Sequence, residues 1–524
     1  MQVNLVLGLI ALGWLIPAGA ATVPTPEELA QAAPGLGLTE AQVDSLNLQL
    51  ATTKPPAVGI ACLTAQLALG EEQVDVRPLN EALVNGYWSE ACIATPYCII
   101  QPQFTKDVAL AIKIVSLFQT RFAVRSGGHS PNPGWSGVGD SGVLIDLGRL
   151  NSISVSRREG KPIVSIGPGA RWGEVYESLD GQQATVIGGR IPNVGVGGLI
   201  LGGGYYHTSP SFGLAADNVQ NFEVVTATGV IINANSTHNS DLFWALKGGG
   251  PNFGVVTRFD LNTIEEDQIW GQINIYTPDQ ALEVLDAFGE WQSNGASDSN
   301  SNIALSIGLD AITVGLIYAK PTIQPAVFSP FYNLTPLASV VPPSNLTHAQ
   351  ISQIMGAAIP NSAGRHDYRA FSSRVNTELT KKMYSFWLER ALAVRASTGA
   401  VQTFSLQHVG ESLREYGEAR GGNALGLPAG THQWWTTLVD WQDAADDDLV
   451  RSVSIETTTQ WAKSAIAADS GLQFLYLNDA SRDQSPLVGY GGGNIVRLQR
   501  VAAKYDPKRL FQTLQNGGFL LSKA

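Results

Sequence analysis

From residue 96 onward the chain alternates between two hydrophobic periods. Val108, Ile112 and Val115 recur at helical spacing behind Thr105, which can cap a helix, and the β-rich run Phe122-Ala123-Val124 then closes on the turn pair Gly127-Gly128. Apolar runs at 143–146, 162–166 and 222–225 predict further strands, and 172–179 predicts a helix between the second and third of them. Beyond Asp260 the glycines thin out. Amphipathic stretches at 279–291 and 379–395 there interleave with alternating strands at 401–408 and 432–439. Residues 22–90 read as a polar leader with short helical pieces and no chemistry of their own. Near Gly471 the chain returns to short motifs, which suggests that its C-terminus packs back on the first domain. The pattern predicts an α+β protein divided at about residues 20, 94, 265 and 470.

Composition narrows the partner. With 524 residues and 44% hydrophobic content the chain can bury two cores, and a net charge of −12 disfavours nucleic acid, which needs basic surface. Fifty-five glycines without a Gly-X-Y period point to tight turns and close backbone approach to a small molecule. The apolar run from Leu5 to Ile16, followed by Pro17-Ala18-Gly19-Ala20, has the core and small-residue cleavage pattern of a secretory signal peptide over residues 1–20. No Lys or Arg precedes that core, which leaves a retained membrane anchor as the alternative. No later stretch is long and apolar enough to span a bilayer, so the processed protein is expected to be secreted, free of the membrane and monomeric. Sequons at Asn235, Asn333 and Asn345 agree with that route. The three cysteines predict one disulfide and one free thiol. Cys62 with Cys98 is the expected pair, because Cys92 lies too close to Cys98 to constrain much chain.

Six glycines fall within the ten residues Gly195-Val196-Gly197-Gly198-Leu199-Ile200-Leu201-Gly202-Gly203-Gly204. Such density lets main-chain N–H groups converge on an anion, and a pyrophosphate is the natural guest. The run is not a dinucleotide fingerprint, since Ile200 stands where GxGxxG requires its last glycine, and no Gly-Lys-Ser or Gly-Lys-Thr exists for a P-loop. Simple tight packing is the alternative. His129 follows Gly127-Gly128 on a sharp turn. No HxxxH or HExxH spacing and no Cys/His array supplies partners for a metal, which leaves a structural turn histidine as the rival to a functional one. No GxSxG suggests a serine hydrolase, and no pair of carboxylates stands out as a glycosidase constellation.

Arg125-Ser126-Gly127-Gly128-His129-Ser130, the run 195–204, residues 212–219, and Asp241 to Gly250 with Asn252 to Thr257 together resemble the berberine bridge enzyme-like branch of the vanillyl-alcohol oxidase flavoproteins, in order and in spacing. Tyr476-Leu477-Asn478 and Lys504-Tyr505-Asp506-Pro507 complete the resemblance, which spans about residues 80–524. It implies a PCMH-type FAD-binding domain of two subdomains over 95–265. A substrate domain over 266–470, with an antiparallel sheet covered by helices, and a returning segment over 471–524 follow from it. It further implies FAD bound covalently through His129, with Arg125 to Ser130 and Gly195, Gly197, Gly198, Gly202, Gly203 and Gly204 around the pyrophosphate. Val194, Tyr205, Val255 and Asn478 are further expected flavin contacts. Many relatives carry a second flavin link from a cysteine. Ile191 holds that place here, so one link and a less elevated potential are expected. Tyr476 is the expected catalytic base, its phenol tuned downward by a nearby cation or the flavin. Ser405, Gln407, His432 and Trp434 are expected substrate contacts on two strands, with an ordinary sheet face as the alternative. The implied activity is oxidation of a small hydroxylated, phenolic or polyketide-type molecule with molecular oxygen as acceptor. A carbohydrate oxidase, a flavin-bearing non-redox cyclase and a flavin-free carbohydrate-binding protein are the alternatives.

Overall fold

In the computed structural model residues 21–524 are described, apart from 159, 183, 266–267 and 359–362. The expected signal peptide, residues 1–20, lies outside the described residues. Three sheets organise the chain. The first has the order β1-β2-β4-β3, from β1 Val74–Val76, β2 Cys98–Ile100, β3 Arg121–Arg125 and β4 Gly142–Asp146. β4 is parallel to both neighbours and buried along its whole length, which is why it reads as an unbroken apolar run. At the β3 edge the C-terminal segment adds a further pairing: Phe122 N donates to Leu514 O at 3.0 Å and Asn516 N to Phe122 O at 2.8 Å.

The second sheet is antiparallel, in the order β5-β6-β9-β7-β8, from β5 Ile153–Arg158, β6 Lys161–Ile166, β7 Val219–Val225, β8 Ile231–Asn235 and β9 Val255–Asn262. The third is antiparallel with seven strands, β10 Gln268–Tyr276, β11 Ser301–Gly308, β12 Ile312–Tyr318, β13 Ala338–Thr347, β14 Arg365–Ser373, β15 Val401–Val409 and β16 His432–Trp441, ordered β13-β10-β12-β11-β15-β16-β14. The helices Ala281–Asn294, Thr377–Thr398 and Asp447–Ala467 cover one face of it, with Phe288, Trp291, Trp387 and Trp461 meeting Phe404 and Trp435 in one core. This mixed arrangement is the α+β class the periodicity predicts. The helix Trp172–Leu179 stands at the predicted residues.

Thr105 is not the cap of the helix Thr105–Leu117. Phe104 holds that position, and Asp107 Oδ2 accepts from the N–H groups of Gln103 and Phe104, while the Thr105 hydroxyl donates to Glu223 at 2.6 Å. Ahead of the first sheet, the helices Pro26–Leu36 and Glu40–Thr52 begin on capping boxes at Thr25 and Thr39. With Ala57–Leu69 they bury Leu29, Leu46 and Ile60 against Ile112 and Phe511, so this segment shares a core with the first sheet. Cys62 and Cys98 form a disulfide between the helix Ala57–Leu69 and β2, and Cys92 is a buried free thiol. Asn333 and Asn345 are exposed. Asn235 is half-buried and donates through Nδ2 to Asn221 at 3.0 Å. No helix among the described residues is long and apolar enough to cross a membrane.

Candidate functional site

Where β3 stops, the chain turns through Ser126 to Ser130 and meets the loop that enters the short helix Val196–Leu201. Gly127 and Gly195 cross in direct contact: a Cβ on either would lie 2.5–2.6 Å from the other's Cα, closer than real side chains approach. Gly128 sits at φ +62°, and a Cβ there would stand 2.5 Å from Gly86 O. These contacts, with the turn Leu477–Asp479 and the segment near Gly517, enclose a cavity of about 390 Å³, the size range of cofactor and ligand sites.

The cavity wall carries polar groups that the protein does not satisfy. Among the described residues, the N–H groups of Gly127, Gly128, His129 and Ser130 donate to no protein acceptor. Asn132 Oδ1 and Ser136 Oγ are buried without a partner. Buried amides and oxygens in this state call for a ligand, and consecutive free amides favour an anionic one.

His129 stands on this wall. Burial, reinforced by the positive charge of Arg171, pushes its pKa down to about 3, so the imidazole is neutral with a lone pair available. One face of the ring is covered by Trp88, with centroids 4.3 Å apart and planes within 9°. His366 also stacks on Trp88, at 4.3 Å with planes within 7°, and its Nδ1 lies 2.5 Å from Asp440 Oδ1. Trp88 belongs to the segment that reads as chemically silent. Its position shows only in three dimensions, where its N–H donates to Gly128 O at 3.0 Å.

The expected site residues divide into those on the wall and those behind it. Ser126, Gly127, Gly128, His129, Ser130, Val194, Gly195, Gly197, Gly198, Gly202, Tyr205, Val255, Tyr476 and Asn478 all line the cavity, as does Ile191. Arg125 does not: its guanidinium turns away into an ion pair with Asp146, donates to Leu83 O at 2.7 Å and lies over the Tyr87 ring. Gly203 and Gly204 are also off the wall, though Gly204 N–H donates to the Tyr476 hydroxyl at 2.9 Å. Ser405, Gln407, His432 and Trp434 stand outside the cavity. Ser405 donates to Ser306, His432 is held neutral by burial with a pKa of about 4, and Trp434 stacks on Tyr476 at 4.5 Å. Gln407 reaches the wall indirectly, donating to Asp479 Oδ2 at 3.0 Å.

Tyr476 is tuned opposite to expectation. Complete burial, with the carboxylate of Asp479 nearby, raises its phenol well above the usual value and outweighs the hydrogen bonds it accepts from Gly204 and from Asn478 at 3.2 Å. Three further groups on the wall carry no motif of their own. Asp479 has its carboxyl pushed up by burial, Tyr368 has its phenol pushed up likewise, and Arg190 lies with its guanidinium 5.3 Å from the Tyr205 ring centroid. The only sequence signal for Asp479 and Arg190 is adjacency, to Asn478 and to Ile191.

A family model described as an FAD binding domain matches residues 96–235. Over 468 residues the chain is 36% identical to an FAD-dependent monooxygenase of Arthrobotrys oligospora, a match taking in 88% of this chain and 90% of that protein. The chain belongs to the FAD-linked oxidoreductases with a PCMH-type FAD-binding domain. An FAD-dependent monooxygenase of Penicillium terrestre is 35% identical over 518 residues, 98% of each chain. The fold is also that of glucooligosaccharide oxidase from Acremonium strictum, described with a 6-S-cysteinyl, 8α-N1-histidyl FAD. The TM-score is 0.71 at 20% identity, covering 87% of this chain and 97% of that one. The free amides, the orphaned Asn132 and Ser136 oxygens and the neutral imidazole fit an FAD in this flavoenzyme.

Proposed function

We propose that this cavity would hold FAD, with the amides of Gly127 to Ser130 as the cradle for its pyrophosphate and His129 as its one covalent attachment point. The neutral, stacked imidazole on the cavity wall is the observation that carries the reading, since only an unprotonated ring nitrogen can bond the cofactor. Ile191, at the place where the resemblance puts the cysteine of many relatives, supports a single link and a less elevated potential. Bound there, FAD would supply a hydride acceptor for the substrate, with molecular oxygen as the final acceptor of the electrons. The substrate is a small hydroxylated, phenolic or polyketide-type molecule. The reading extends to a monomer that leaves the cell, with residues 95–265 as the flavin unit, 266–470 as the substrate unit and 471–524 returning to the first.

The protein's own groups then divide the work. A phenol held protonated cannot take up the substrate's proton, so Tyr476 acts as a hydrogen-bond donor to the substrate oxygen, its own oxygen fixed by Gly204 and Asn478. Asp479 is the better acceptor: burial raises its carboxyl above the ordinary carboxylate value, which strengthens it as a general base. Trp88 excludes water from one face of His129, and Gln407 orients Asp479. Anaerobic mixing with hydroxylated aromatic substrates tests this. Bleaching of the flavin by substrate alone supports an oxidase, whereas product formed with the yellow spectrum unchanged would convert the reading to a non-redox cyclase. Tyr476→Phe is expected to slow the bleaching 10²-fold or more, on the order of a lost transition-state hydrogen bond.

A further inference from the structure

Arg190 is a cation without an acceptor. Its guanidinium lies on the cavity wall, and among the described residues no carboxylate stands within ion-pair distance of it and no protein acceptor takes its N–H groups. Elsewhere Arg125 pairs with Asp146, Arg171 donates to Asn193 O, and Arg451 pairs with Asp367 and Asp483, while half-buried Arg190 has no such partner among the described residues. Five donors left free inside a cavity mark a place for an acceptor that arrives from outside.

The surroundings limit what that acceptor is. Tyr205, whose ring lies under the guanidinium, is itself fixed, because its hydroxyl donates to His408 O at 3.1 Å. Tyr368, Tyr476 and Ile191 complete an apolar and aromatic enclosure at this end. Flat walls select a planar ring, and one guanidinium balances one negative charge. Asp479 on the same wall opposes a second negative charge. The free amides at Gly127 to Ser130 already provide for the cofactor's anionic part, so Arg190 remains for the substrate.

We infer that Arg190 is the specificity-determining anchor for an acidic hydroxyl of the substrate, a phenol or enol that binds as its oxyanion after losing its proton to water. The inference rests on the proposed reading of the cavity as the site of flavin-dependent oxidation. It also separates substrates with an ionisable ring hydroxyl from neutral sugars, which have no oxyanion to offer.

The holoprotein is titrated with 4-nitrophenol, its neutral analogue 4-nitroanisole and 4-nitrobenzoate, with difference spectra recorded at a pH where free 4-nitrophenol is mainly protonated. The expected result is that bound 4-nitrophenol shows phenolate absorbance and binds at least about tenfold more tightly than 4-nitroanisole, the scale of a charge-assisted hydrogen bond. Arg190→Met should erase that preference and Arg190→Lys should restore part of it. Binding of 4-nitrophenol in its neutral form, or an unchanged preference in Arg190→Met, would overturn the inference. Tighter binding of 4-nitrobenzoate would replace it with a carboxylate subsite. Acid-stable flavin is measured on the same samples. Its absence from the wild type would fault the covalent reading alone, and its loss only in a variant would identify damage to the flavin site, with Arg190→Lys then deciding the anchor.

Discussion

Trp88→Ala should make flavin attachment sensitive to acid. Trp88 covers one face of His129 at 4.3 Å, and burial is the largest cause of the imidazole's pKa of about 3. At pH 5 the wild-type ring is about 99% neutral. If removal of the indole hydrates the ring and lets its pKa relax to the ordinary value of about 6.5, only about 3% stays neutral at that pH, a limit of about thirtyfold. At pH 8 both rings are neutral and the difference vanishes. The assay incubates apoprotein with saturating FAD at pH 5 and pH 8, quenches with acid at intervals and follows the flavin absorbance that stays with the precipitate. The ratio of variant to wild-type rates should fall between pH 8 and pH 5 by a factor approaching thirty, and Trp88→Phe should recover most of it. A ratio identical at the two pH values would refute the idea that the stacked indole keeps His129 neutral.

Gly195→Ala forces a Cβ against Gly127 Cα at 2.6 Å, where only backbone could yield, and overpacking of this kind costs about 1–3 kcal/mol. A lower unfolding temperature and reduced flavin content are expected, and a variant that matches wild type in both would show that the loop crossing is loose. Asp479→Asn should remove the acid limb of the reduction rate, because a base with a raised pKa is deprotonated, and so active, only as the pH rises through that value. An unshifted profile would assign the base elsewhere. His207 is buried and neutral, with a pKa of about 3 against 6.5 unfolded. The unfolded state therefore binds more protons in that window, and the stability present above pH 6.5 is lost as the pH falls toward 3. His207→Gln should make the acid-side decline in the unfolding free energy from urea titrations shallower, by about 1.4 kcal/mol per pH unit, and an unchanged slope would contradict the burial argument.

The sequence carried the parts of this protein that depend on local pattern. The β3 strand ahead of Gly127-Gly128, the helix Trp172–Leu179 and the alternation in β15 and β16 all follow from periods of 3.6 and 2. Strands β10 to β13 escaped that reading, since β12 is buried on both faces at Val314, Gly315, Leu316 and Ile317 and so shows no alternation. The glycine motifs pointed to the cavity wall, yet a motif does not say which way a side chain turns. Arg125 follows Asp146 inward, and Tyr476 is tuned upward by burial and by the carboxylate of Asp479, which together outweigh the cation Arg190. Trp88 and Arg190 lie far from His129 and Asp479 along the chain, and only the fold stacks the first pair and sets the second on one cavity wall.

Acid precipitation of the purified holoprotein, followed by proteolysis and mass analysis of the flavin-bearing peptide, tests the covalent reading most directly. The account predicts one FAD per chain, carried on the peptide that contains His129, no second link at Ile191, and release of the flavin by acid from His129→Ala. Flavin freed from the wild-type protein by acid, or retained by His129→Ala, would contradict it.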